Sequence, residues 1–283
     1  MSYKIVIDSC GDLTQELKED ARLESVPLEL EVGDERILDD ENFNQKEYLK
    51  KIAECPTCAK TSCPSPERYM LACNVDAENI YIITLSANLS GSYNSAMLAK
   101  QMFEEQYGQK NIHVFNSCSA CSGETLIARK IMELEEAGKS FAQVVELGEI
   151  FLRGMDTYFI LDDLETLRKN GRLSAVKALV ASKLNIKPIM GTDGNGTILQ
   201  LGQAVGMKKA FRKMTEFILA DKVKRHQKLE ERSLMITHVD CPERAELIRD
   251  FLLSEGNFKD VQIVEAGGVS TTYANAGGIV VTV

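Results

Sequence analysis

Residues 79–100, NIYIITLSANLSGSYNSAMLAK, decide how the chain is read. Ile80, Tyr81, Ile82 and Ile83 form the β-branched and aromatic run that a buried strand requires. Ser86, Asn88, Ser90, Gly91, Ser92 and Asn94 then crowd into nine positions, and Ala96, Met97, Leu98 and Met102 continue as one face of a helix. The order is strand, hydroxyl-rich turn, helix. Such a turn places backbone N–H groups and small hydroxyls at a helix N-terminus, where the positive end of the dipole favours a carboxylate or phosphate. A capped βα loop, with Ser90 or Ser92 as the N-cap, explains the same residues without a ligand.

The pattern extends on both sides. Residues 3–7 (YKIVI) read as a strand ending in Asp8 and Ser9. Those two residues either meet a ligand at the carboxyl end of the strand or shape the turn and cap the next helix. Thr14 can cap a short helix through Lys18, and residues 26–32 (VPLELEV) read as one further strand before a Gly33-Asp34 turn. Asn44 opens a helix with Glu47 at N3, Ser65-Pro66 starts another, and Ser140 with Gln143 makes a third capping pattern. Thr61 and Ser62 lie just before the Ser65 turn, with Pro64 restraining the backbone between. Alone they read as an elaborate cap; beside the 86–92 loop they read as half of a shared oxyanion site. With a strand at 112–115 and helices at 123–134 and from 141 to 153, strands and helices alternate over the first 153 residues, which predicts a largely parallel sheet.

A second α/β unit follows. Its expected elements are a strand at 157–160, a short helix after Asp162-Asp163 closed by Gly171, and a helix over 175–182. A hairpin over 184–201 turns at Asp193-Gly194, and a long helix spans 207–225. Strands at 234–238, 261–266 and 279–283 complete it, with residues 267–278 read as a loop. The fold class is α/β in two domains, residues 1–153 and 154–283, with the ligand site between them.

Composition narrows the function. A formal net charge of −9 over 283 residues argues against nucleic acid, since nothing basic offsets phosphate repulsion. The sequence enters a strand at once, with no signal peptide, and no apolar run approaches membrane-spanning length, so the chain is placed in the cytoplasm. Eight cysteines there imply reduced thiols. Cys55-x-x-Cys58 and Cys118-x-x-Cys121 are two C-x-x-C pairs, 59 residues apart, which argues for buried or half-buried thiols over a compact zinc ribbon or a redox dithiol. No metal or cofactor is expected. The three histidines, His113, His226 and His238, lack a G-x-S-x-G partner, and no P-loop, G-x-G-x-x-G or H-E-x-x-H is present. His238 with a loop serine leaves a Ser/His hydrolase acting on an acyl or phosphate ester as the alternative. A site rich in hydroxyls and poor in acid/base groups suits holding a small anion better than transforming it.

Six ordered motifs, YKIVIDSCGDL, KTSCPSPERY, SANLSGSYNSA, LDDLETLRKNGRLS, LNIKPIM and HVDCPERAE, resemble those of the DegV family along essentially the whole chain. That resemblance implies a two-domain α/β protein without catalysis of its own, binding a long-chain fatty acid between its domains. It also implies that the chain can serve as the binding subunit of a fatty acid kinase, offering the carboxylate to a partner that makes an acyl phosphate. By it, Thr61, Ser62, Ser90, Gly91 and Ser92 hold the carboxylate and the acyl chain runs into an apolar tunnel. Two positions depart from the family pattern. Tyr273 stands where the family usually has a histidine, and its phenol can donate one hydrogen bond but no charge near neutral pH. Val205 stands where an arginine is tied to kinase docking or phosphoryl transfer. Arg172, in Gly-Arg-Leu-Ser, is kept and is implied as a contact for the partner.

Overall fold

The structure, a computed structural model, describes residues 2–173 and 185–283. The helix expected over 175–182, Ser174, and Leu184 at the start of the expected hairpin lie outside the described residues.

The first half runs β1 (Tyr3–Asp8), α1 (Gln15–Lys18), β2 (Leu23–Val26), β3 (Glu29–Val32), β4 (Glu35–Leu38), α2 (Gln45–Glu54), β5 (Lys60–Ser62), α3 (Pro66–Cys73), β6 (Asn79–Thr84), α4 (Ser92–Tyr107), β7 (Asn111–Asn116), α5 (Ser122–Glu136) and α6 (Phe141–Arg153). Strands β2, β1, β6 and β7, in that order, form a wholly parallel sheet. The apolar runs are explained by cover on both faces. Ile5, Ile7, Tyr81 and Ile83 pack toward α5 and α6, while the alternate residues Val6, Ile80 and Ile82 pack toward α3 and α4.

Three expectations are corrected here. Residues 26–32 are two strands in two sheets. Pro27 has no N–H to donate to a ladder, so β2 ends at Val26. β3 instead turns at Gly33 (φ +59°) and pairs antiparallel with β4 and β5 in a separate three-stranded sheet. Helix α4 begins at Ser92 with Gly91, not Ser90 or Ser92, at the N-cap. Its buried face is Ser92, Ala96, Ala99 and Phe103, a helical spacing that turns Met97 and Leu98 outward, to 43% and 47% exposure.

The second half runs β8 (Thr157–Ile160), α7 (Glu165–Lys169), β9 (Ile186–Thr192), β10 (Ile198–Val205), α8 (Met207–Lys224), β11 (Ser233–His238), α9 (Pro242–Glu255), β12 (Asp260–Glu265), α10 (Gly268–Ala274) and β13 (Ile279–Thr282). Its six-stranded sheet has the order β10-β9-β8-β13-β11-β12, antiparallel except between β11 and β12. The stretch 267–278, expected as a loop, contains α10. One face of the sheet packs on α8 and α9. The other presents Phe159, Leu161, Met190, Ile198 and Val280 toward Leu167 of α7 and Ala274 of α10.

The halves share a core. Met235 of β11 and Val264 of β12 lie in one cluster with Ile5, Ile7 and the α5 residues Leu126 and Ile127. Near the outer ends of β8 and β13, the fully buried Lys222 of α8 donates to Asp156 (2.7 Å), and Arg225 reaches the other Asp156 oxygen (2.8 Å). No helix among the described residues is long and apolar enough to cross a membrane.

Candidate functional site

A cavity of about 90 Å³ lies between the carboxyl ends of β1, β6 and β7 and the inner face of the six-stranded sheet. One water needs roughly 10–15 Å³ on the same measure, so the space is several waters deep. Its wall is mostly grease, including Leu28, Leu85, Phe159, Leu161, Ile198 and Val280.

Helix α10 supplies one wall, with Val269, Ser270, Tyr273 and Ala274 as a single face. Residues of the first half fix its position. Asp39 accepts from the backbone N–H groups of Gly268 (2.6 Å) and Val269 (2.9 Å), and Asp12 accepts from Gly267 N–H (2.7 Å) and the Ser270 hydroxyl (2.9 Å). Carboxylates at a helix start are held by its free N–H groups and its dipole. Burial nonetheless pushes Asp12 up to about 7 and raises Asp39. Tyr48 pairs with the Thr272 hydroxyl at 2.7 Å, and Gln45 donates to the Ala266 carbonyl at 2.9 Å.

At one end of the cavity the Tyr273 phenol meets the Thr61 hydroxyl at 3.0 Å, and the Arg172 guanidinium lies 5.5 Å from the Tyr273 ring centre. Arg172 is held by the Leu89 carbonyl (3.1 Å) and the Asn170 carbonyl (2.6 Å). Ser90 joins them in the lining. Its oxygen accepts from Ser92 N–H at 3.2 Å and lies 3.1 Å from the Ser92 hydroxyl.

The sequence candidates therefore separate. Thr61, Ser90 and Tyr273 line the cavity together with Arg172. Ser62 does not. Thr61 and Ser62 are neighbours on β5, and side chains of a strand alternate, so Thr61 points inward and Ser62 is exposed. Ser92 is wholly buried behind Ser90, and Gly91 lies against Cys63, where an added Cβ would come within 3.1 Å of the thiol sulfur. Val205, 58% exposed at the end of β10, lies outside the lining.

Other hydroxyls of the organising loop serve assembly. Ser86 donates to the Gly196 carbonyl (3.1 Å) and Asn88 to the Asn195 carbonyl (2.8 Å), docking the loop onto the β9–β10 turn. Asp8 accepts from Leu85 N–H (2.9 Å) and Cys10 N–H (3.1 Å), and Ser9 from Leu28 N–H (3.0 Å), which is the turn-shaping role. The geometry a hydrolase needs is not formed by His238. Its Nδ1 accepts from Cys241 N–H at 3.4 Å, and it does not line the cavity that holds Ser90.

Sequence reasoning treated Arg172 only as a partner contact and left Val269, Ser270 and Ala274 in a loop. The i, i+1, i+4, i+5 spacing of 269, 270, 273 and 274 is the helical signal that was available.

Comparison with known proteins agrees with this architecture. The sequence model of the uncharacterised DegV family matches residues 2–283. A DegV domain-containing protein of Streptococcus gordonii is 30% identical over 282 residues, 99% of this chain and 98% of that protein. The crystal structure of a DegV family protein from Ruminococcus gnavus, refined with vaccenic acid, is 52% identical with a TM-score of 0.96, covering 100% of this chain and 99% of that one. The Fatty Acid Kinase (Fak) B3 protein of Streptococcus pneumoniae, crystallised with linoleic acid, is 26% identical with a TM-score of 0.88, covering 100% and 99%. With the family's motifs in order, its architecture reproduced and its sequence pattern matched from residue 2 to residue 283, this chain belongs to the DegV family.

Proposed function

We propose that this protein binds one long-chain fatty acid, with the carboxylate at the Thr61–Ser90–Tyr273 end and the acyl chain along the apolar wall. The observation that carries the reading is the division of the cavity. Hydroxyls and a guanidinium gather at one end of a wall that is otherwise largely apolar. Three other hydroxyls of the wall are turned on protein groups, Ser119 and Thr157 on each other (2.5 Å) and Ser270 on Asp12. A carboxylate replaces the Thr61–Tyr273 bond with two charge-assisted ones, and the nearby Arg172 charge favours the anion. Gly91 and Ser92 support this end by setting the backbone and hydroxyl of Ser90, and Ser62 stands outside it.

The vaccenic acid of the R. gnavus relative supports the ligand class. The S. pneumoniae Fak B3 relative supports presentation of the bound carboxylate to a partner kinase, with Tyr273 and Val205 as this chain's departures from the family pattern. In this reading the units are 1–153, which carries the four- and three-stranded sheets, and 154–283, which carries the six-stranded one, with the ligand between them; the free thiols fit a cytoplasmic location.

Lipid extracted from purified protein and analysed by mass spectrometry is expected to contain a fatty acid. Thr61→Val is expected to weaken binding by about 1–3 kcal/mol, the penalty for one lost bond to a charged group, while Ser62→Ala changes it less than about twofold. No extractable fatty acid together with no thermal shift on adding one would overturn the reading. Equal losses from both substitutions would overturn the assigned register.

A further inference from the structure

Behind the cavity, where β1 ends and α5 begins, three buried groups converge: Asp8, Cys10 and Glu124. One carboxylate oxygen, one thiol sulfur and one carboxylate oxygen all lie within 4.8 Å of one another. Asp8 and Glu124 are 0% exposed and Cys10 is 2% exposed. Asp8 is engaged through both oxygens by backbone N–H groups. Glu124 is not: neither of its oxygens has a hydrogen-bond partner. The buried Tyr69 hydroxyl is also unpartnered and borders the same group, where Asp8, Ser92 and Glu124 all act on it.

Two adjacent buried carboxylates cannot both stay charged without compensation. Among the described residues, no hydrogen bond joins either carboxylate to a lysine, arginine or histidine. The positive charge that this pocket calls for is a proton or a cation. The donor set favours a cation, because a thiol beside two carboxylates is a ligand set for a borderline-soft divalent ion, whereas a shared proton leaves the thiol idle.

We propose that Asp8, Cys10 and Glu124 form a site for one divalent cation of the zinc type, with the Tyr69 hydroxyl bordering its open side. Binding displaces the Cys10 thiol proton, and any proton on Glu124, to solvent. Cys10 also lines the cavity, which gives the ion its entry path. The ion ties the end of β1 to the first turn of α5 and stiffens the wall formed by Cys10 and Cys121. The inference is independent of the acyl ligand.

The test uses the full chain, stripped with a chelator, in a Cys55→Ser/Cys58→Ser background that removes one C-x-x-C pair. Titration with zinc chloride alone is expected to give one equivalent per chain, proton release and a higher melting temperature. Cobalt(II) in its place is expected to give a thiolate charge-transfer band. Cys10→Ser removes that band, and both Cys10→Ser and Glu124→Gln lower zinc affinity at least about tenfold, the usual scale for a weakened metal shell. Both substitutions conserve volume, and Glu124→Gln removes a buried acid, so the fold survives them. Absence of stoichiometric binding overturns the proposal. So does binding indifferent to both substitutions, or a Glu124→Gln variant that is merely more stable and shows no change toward zinc, the signature of a shared proton.

Discussion

Ala120→Trp is expected to lower fatty-acid affinity by more than about 100-fold while leaving the protein folded. Ala120 sits in the turn between β7 and α5, partly buried, with its side chain in the cavity lining and in contact with both clusters that form the wall. An indole there occupies space that the acyl chain needs. Burying a methylene contributes about 0.8 kcal/mol, so displacing only four of them removes about 3 kcal/mol, more than two decades in affinity. Overpacking a filled core costs typically 1–3 kcal/mol, but this side chain enters space that the protein itself leaves open, so the melting temperature of the ligand-free protein is expected to hold or rise. Ala120→Leu should fall between the two. Tight binding by the tryptophan variant, measured by displacement of a fluorescent fatty acid, would move the acyl chain out of this cavity altogether.

The contrast between what the sequence disclosed and what it hid has a physical pattern. The parallel sheet was legible because Ile80 to Ile83 and residues 3–7 are buried on both faces, and such runs announce themselves locally. Helix starts at Thr14, Asn44 and Ser140 were legible because their caps are made within four residues. The split at Pro27 was signalled only by the proline; that its two sides join different sheets depends on partners distant in sequence, β1 for one side and β5 for the other. Helix α10 was hidden because its start is capped by Asp12 and Asp39, more than 200 residues earlier in the chain. Hydroxyl-rich loops marked the neighbourhood of the site but not the direction of each side chain. Thr61 and Ser62 are equivalent as letters, and only the pairing of β5 with β3 turns one inward. Arg172 likewise reads as a surface cation until the Leu89 carbonyl and the Tyr273 ring are placed beside it.

Asp156→Ala is expected to destabilise the fold by about 3–5 kcal/mol at neutral pH, the cost of leaving a buried charge without its partner. Lys222 has no exposed surface, and its ammonium donates to Asp156, to the Val283 carbonyl (2.9 Å) and to the Gly154 carbonyl (3.2 Å). The backbone acceptors remain after the substitution, but the carboxylate that pairs with Lys222 is gone. Burial already lowers the Lys222 pKa, and Asp156 is the main influence opposing it. Without that carboxylate the folded protein holds the Lys222 proton less tightly still, while the unfolded chain keeps its ordinary affinity. The unfolded state then binds more protons between the two pKa values, so the stability of the variant rises with pH across that window and its deficit shrinks on the alkaline side. Adding Lys222→Met removes the stranded charge, and the double variant is expected to recover most of the loss, since an apolar replacement of a buried pair is often neutral. Urea denaturation of the three proteins at neutral and alkaline pH measures both effects. Because Thr157 and Val280 carry the cavity wall on the strands that this pair clamps, the single variant should also bind fatty acid more weakly, and the double variant should regain it. A loss below about 1 kcal/mol would show that the strand ends are held by the backbone bonds between Asp156 and Val283, and no recovery on removing the lysine would trace the loss to Arg225 instead of Lys222.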